Sequence, residues 1–223
     1  MAATVILLSL AAGVTDAISF IHLGGVFSSV ITGNLVVLGS SSVGVDVPTL
    51  VRVAVAVGLY GLGVFAGARL AALPRYAPDR GTRWRPRAAS ACLAVETVLL
   101  TAFWAGWLAA RSAPAGGVQI PLIALAGLAM GVQSTAVQAL GRAGLSTTYL
   151  TGALTRLVAA IAGPGRRRRF DGTQALALAG VLIGAGLATL SVQRLSWVGP
   201  LPAVLLTAAA SRLVLTKTAK GER

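Results

Sequence analysis

Charge is scarce in this chain of 223 residues. Only 11% are Asp, Glu, Lys or Arg, against about 25% in ordinary soluble domains. The acidic side is thinnest, with six Asp and Glu to nineteen Lys and Arg. One cysteine (Cys92) and one histidine (His22) leave no intrachain disulfide and no Cys/His metal site. No P-loop, HExxH or GxSxG is present, so nucleotide hydrolysis, zincin and α/β-hydrolase chemistry are not encoded here. No nucleophile–base pair can be named, and neither catalytic activity, a cofactor nor a metal is expected.

What remains is apolar. Hydrophobic residues make up 56% of the chain and the mean hydropathy is +0.81, which places the protein in the lipid bilayer. The net charge of +13 sits between apolar runs, as in WRPR (84–87) and RRRR (166–169). That placement fits positive loops fixing membrane orientation rather than a nucleic-acid surface. The start, MAATVILLSLAAGVTDA, lacks a basic leader and reads as a retained first span.

Eight apolar segments, at 4–23, 24–44, 49–73, 88–110, 119–140, 143–163, 173–193 and 197–215, approach the ~20 residues of a crossing. Charge arbitrates. Arg75 to Arg87, Arg166 to Arg169, and Lys217, Lys220 and Arg223 form three basic clusters. All three share the cytoplasmic side if 143–163 dips in and returns, and the same logic makes 24–44 a dip from the outside with the N-terminus inside. An all-α membrane protein of six transmembrane helices plus two re-entrant half-helices follows, with both termini cytoplasmic; eight full spans is the competing reading.

The halves resemble each other. GVTDAISF (13–20) aligns with GVQSTAVQ (131–138), SSVITGNL (28–35) with TTYLTGAL (147–154), and GVFAGARL (63–70) with GVLIGAGL (180–187). These are two repeats, 1–112 and 113–223, each with three spans. An odd number of spans inverts the second copy, the construction of many transporters. Thr32, Gly33 and Asn34, and Thr148, Thr151 and Gly152, then mark two helix breaks near the midplane. Glycine permits a turn, and Thr or Asn hydrogen-bonds backbone freed from the helix.

GVTDAISFIHLGGVFSSVITGN, LSTTYLTGALTRL and the GVFAG segment resemble the YoaK-type family of bacterial membrane proteins (DUF1275). The resemblance implies a six-span protein of the bacterial plasma membrane and supplies no substrate.

Several intramembrane polar residues invite function. A charged Asp16 mid-span would cost about 2.5–3.5 kcal/mol. It is a candidate proton or cation site, or a buried carboxyl that is neutral or paired with Arg156 or His22. Thr15 and Ser19 share its face, and Gln133 and Ser134 occupy the matching place in the second half. Glu96 is a second site or a helix–helix hydrogen bond. Arg156 lines a pathway or snorkels to the surface. Gly63/Gly67 and Gly180/Gly184 are GxxxG pairs, for packing within the bundle or in a homo-oligomer. Trp84, Trp104, Trp107 and Trp197 read as interfacial anchors, and His22 as an interfacial residue. The pattern points to a transporter or channel for a small solute or ion, proton-coupled if Asp16 titrates. A non-transporting scaffold and an intramembrane enzyme are the alternatives.

Overall fold

The computed structural model describes residues 2–44, 46–76, 85–141, 150–162 and 172–219, excepting the side chains of Leu150, Arg156, Ala160 to Ala162 and Ala219. Among the described residues the apolar runs fold as eight α-helices: α1 (Ala2–His22), α2 (Ile31–Gly44), α3 (Val47–Ala71), α4 (Pro86–Ala109), α5 (Gln119–Ala139), α6 (Leu150–Ala162), α7 (Gly172–Arg194) and α8 (Leu201–Ala219). Six are long and apolar enough to cross a membrane; α2 and α6 are not. At 1.5 Å per residue α2 reaches only roughly 21 Å.

Local chemistry sets the starts. Asp46 caps α3, accepting from the Thr49 N–H at 3.2 Å, with Pro48 just inside the helix. Hydrogen bonds from the Thr49 side chain and then its backbone hold the exposed Asp46 carboxyl below its ordinary pKa. Pro86 opens α4, which has no side-chain cap.

Hydrogen bonds fix the helix directions. The Trp104 and Trp107 indoles, near the end of α4, donate to the carbonyls of Trp197 and Ser196 just before α8. Gln119 at the start of α5 donates to the His22 carbonyl at the end of α1. Arg52 of α3 lies against Gly24 at this same end. At the opposite end, the Arg85 N–H donates to Ala139 and its guanidinium to the carbonyl of Ala71. Thus α1, α4 and α7 run one way, and α3, α5 and α8 the other. The connection holding α2 leaves and returns at one end, and the connection holding α6 at the other.

The main packing pairs are α3 on α5, α7 on α1, α4 on α5, α8 on α1, α4 on α8, α2 on α3 and α6 on α7. Exchanging α1 with α5, α2 with α6, α3 with α7 and α4 with α8 leaves this set unchanged. Its closest contacts cross between halves. A Cβ on Gly63 would collide with the Leu128 carbonyl, and one on Gly131 with the Tyr60 carbonyl. Likewise a Cβ on Gly184 would collide with the Leu10 carbonyl, and one on Gly13 with that of Val181. Gly67 faces Thr135, and Gly180 faces Ser9. The GxxxG pairs therefore pack inside the bundle, each against the other half.

The described tryptophans all lie at helix ends, Trp104 and Trp107 in the last two turns of α4 and Trp197 in the turn before α8. Trp107 is fully buried and Trp104 half-buried. An indole N–H drawn into the core needs an acceptor, and the turn before α8 supplies it. Trp197 is exposed, while Trp84 lies outside the described residues.

Candidate functional site

Between α1 and α2 the chain abandons the helix at 23–30. The bend falls at Gly24 and Gly25, with φ of +88° and +78°, a region that favours glycine. Thr32 and Gly33 instead lie in the first turn of α2. A Cβ on Gly33 would make ordinary contact with Phe27 and Val30 at 3.5 Å, so Gly33 is not the hinge the sequence suggested.

Two buried side chains hold this irregular backbone. Asp16 Oδ1 accepts from the Ser28 N–H, the Ser28 hydroxyl and the Ser29 N–H, each at 2.8 Å, and the Ser29 hydroxyl donates to Oδ2. Asn34, fully buried, accepts from the Phe27 N–H at 2.9 Å and donates to the Phe27 carbonyl at 2.6 Å. Phe27 also stacks on Phe20, ring centroids 4.8 Å apart. The chain therefore folds back along α1 to Asp16, roughly 9 Å below His22, before α2 begins.

Beside the break lies a cavity of about 310 Å³ lined by Ser29, Thr32, Tyr60, Ser134 and Gln138, with Ile31 and Val64 as apolar wall. The lining has four hydroxyls and a carboxamide, and among the described residues no charged side chain. Such a surface can hydrogen-bond a small polar solute. It offers no nucleophile with a base, and no group of three metal-ligating side chains lies together among the described residues.

A second polar cluster is closed off in the core. Glu96 of α4 accepts through Oε1 from Gln133 Nε2 at 2.9 Å and from the Thr207 hydroxyl at 3.1 Å. Gln133 also reaches the Leu8 carbonyl, so α1, α4, α5 and α8 meet there. Glu96 Oε2 has no hydrogen-bond partner.

The candidate residues thus divide. Thr32 and Ser134 meet at the cavity, Asp16 and Asn34 brace the break, and Glu96 and Gln133 pair in the core. Thr15 donates back to the Ala11 carbonyl, and the buried Ser19 hydroxyl has no partner. His22 packs edge-on against Trp107. Thr151 and Gly152 lie in the first turn of α6, where the Thr151 carbonyl accepts from Thr155. Arg156 is in the same helix with its side chain undescribed, and Thr148 lies outside the described residues. Sequence reasoning missed Tyr60, Gln138, Thr207 and the Ser28–Ser29 pair. Gln138 was within reach, being one helical turn beyond Ser134.

A family model described as "Protein of unknown function (DUF1275)" matches residues 4–214. The chain is 37% identical over 158 residues to the "UPF0700 transmembrane protein YoaK" of Bacillus subtilis (strain 168). That match covers 70% of this chain and 65% of the relative's length. No solved structure matches.

Proposed function

The chain belongs to the DUF1275 family of membrane proteins, and from that premise we propose that it is a transporter or channel for a small polar solute. One observation carries the reading: irregular backbone at 23–30 lies beside a polar cavity of about 310 Å³. Within a membrane, non-helical backbone persists only where protein or a water-filled cavity surrounds it, and transporters bind their solutes at such breaks. In this reading Ser29, Thr32, Ser134 and Gln138 meet the solute, and α6, which carries Thr151, Gly152 and Arg156, is the counterpart of α2. Asp16 already holds four donors, which favours uncoupled passage over proton coupling through it.

The opposed directions of α1 and α5, and the exchangeable packing pairs, support an inverted repeat. The Arg85 and Arg87 end is the basic one among the described residues, α1 starts there and α8 finishes there. By the positive-inside rule that end and both termini belong to the cytoplasmic side of a bacterial plasma membrane.

The test is reconstitution. Proteoliposomes are given an osmotic step with glycerol, erythritol or urea, and then with lactate or choline of similar size. The protein should speed re-swelling with at least one solute over protein-free liposomes. Ser134→Leu, which fills the cavity, should abolish the gain while the protein stays folded. A scaffold would accelerate none of them.

A further inference from the structure

We infer that the groove between α4 and α8 binds an anionic phospholipid, an acyl chain lying along it and the headgroup phosphate meeting Arg212. The open groove spans about 600 Å³ between Ala94, Thr97, Thr101 and Ala102 of α4 and Ala208 and Arg212 of α8. That is room for roughly twenty water- or methylene-sized groups, on the scale of one acyl chain. The alanines make it concave. Its threonines present no free hydroxyl, because Thr97 donates to the Leu93 carbonyl and Thr101 to that of Thr97, both at 2.7 Å.

Arg212 supplies the choice of ligand. It is exposed on a membrane-spanning helix, where a guanidinium needs an anion or the interface. No described carboxylate meets it: Asp16 holds Ser28 and Ser29, Glu96 is enclosed, and Asp46 caps α3 at the far end. Because α4 and α8 are antiparallel, Arg212 lies toward the Arg85 end, roughly 10 Å from the last residue of α8. An extended side chain there reaches headgroup depth, and its planar fork matches a phosphate. A second copy of the chain would fill the groove but brings none of these carboxylates to the arginine.

The experiment uses the full chain in neutral detergent, adding phosphatidylglycerol or phosphatidylcholine and following thermal unfolding through labelling of the buried Cys92 thiol. Phosphatidylglycerol at a hundredfold excess over its Kd should raise Tm by roughly 5 °C or more, and phosphatidylcholine by much less. Arg212→Gln should lose the preference between the lipids, and Ala102→Phe, which fills the groove, should lose the response to both. Equal stabilisation of the wild type by the two lipids would overturn the proposal, as would a preference that survives in Arg212→Gln. A dimeric wild type that Ala102→Phe makes monomeric would assign the groove to a second copy instead. Native mass spectrometry of the wild type, counting retained phosphatidylglycerol, decides the matter if a variant fails to fold.

Discussion

Asn34 grips the backbone of Phe27 at both its polar groups, accepting from the N–H at 2.9 Å and donating to the carbonyl at 2.6 Å. Residues 23–30 have left the helix, and these two groups would otherwise stand unpaired beside apolar side chains. Only a short carboxamide offers both an acceptor and a donor at this reach. Asp lacks the donor and Leu lacks both.

Asn34→Leu should therefore orphan one buried N–H and one buried C=O, at about 1–3 kcal/mol each. Thermal unfolding followed at Cys92 should show a large loss, against a small one for Leu35→Ala at the exposed neighbouring position. Equal losses would mean that the clamp contributes nothing.

Asp16 braces the same segment from α1, and its variants separate an anchor from an ion site. Asp16→Asn retains an oxygen for the Ser28 and Ser29 N–H groups, whereas Asp16→Ala leaves both buried donors unpaired. The alanine should cost about 2–6 kcal/mol, and the asparagine clearly less. If the asparagine keeps its stability and solute flux yet loses any dependence of flux on pH, Asp16 couples protons and the anchor reading is incomplete.

Much of this architecture was legible because membrane physics writes it in simple terms. Apolar runs gave the helices, the parity of the basic clusters gave the returning connection that holds α6, and the internal resemblance extended it to α2. The break was legible only in outline. Glycine in a first helical turn (Gly33) and glycine at a bend (Gly24, Gly25) look alike in sequence, since only the backbone angle separates them. The anchors were less visible still. Ser28 lies 12 residues from Asp16, and Thr207 lies 111 from Glu96. No periodicity links such partners, because the chain must fold before they meet. The partner of Trp107 was hidden for a related reason: its N–H donates to Ser196, 89 residues away.

Glycines offer a contrast internal to the protein. Gly131→Ala drives a methyl into the Tyr60 carbonyl, where the nearest atoms, from Tyr60, Gly63 and Val64, are all helix backbone and cannot yield. Gly186 of α7 has nothing within 4 Å of an added Cβ. Gly131→Ala should lower Tm sharply, while Gly186→Ala should hold or raise stability by up to about 1 kcal/mol through helix propensity. Matching effects would refute the close α3–α5 contact.

The Glu96 cluster predicts coupling between helices far apart in sequence. Glu96→Leu removes the acceptor for Gln133 and Thr207, leaving two buried donors without it. Gln133→Leu removes one donor but also breaks its bond to the Leu8 carbonyl. If the Glu96–Gln133 hydrogen bond is a working contact between α4 and α5, the double variant should be less damaged than the two single losses summed. The difference should be about 0.5–3 kcal/mol, the range for directly interacting pairs. Glu96→Gln tests the acceptor separately, since its amide oxygen can take both hydrogen bonds and its amino group replaces the oxygen that has no partner. It should stay much closer to wild type than Glu96→Leu, by Tm of purified protein in one detergent. Strict additivity in the cycle, together with equal damage from Gln and Leu, would mean that the cluster is packed but not coupled.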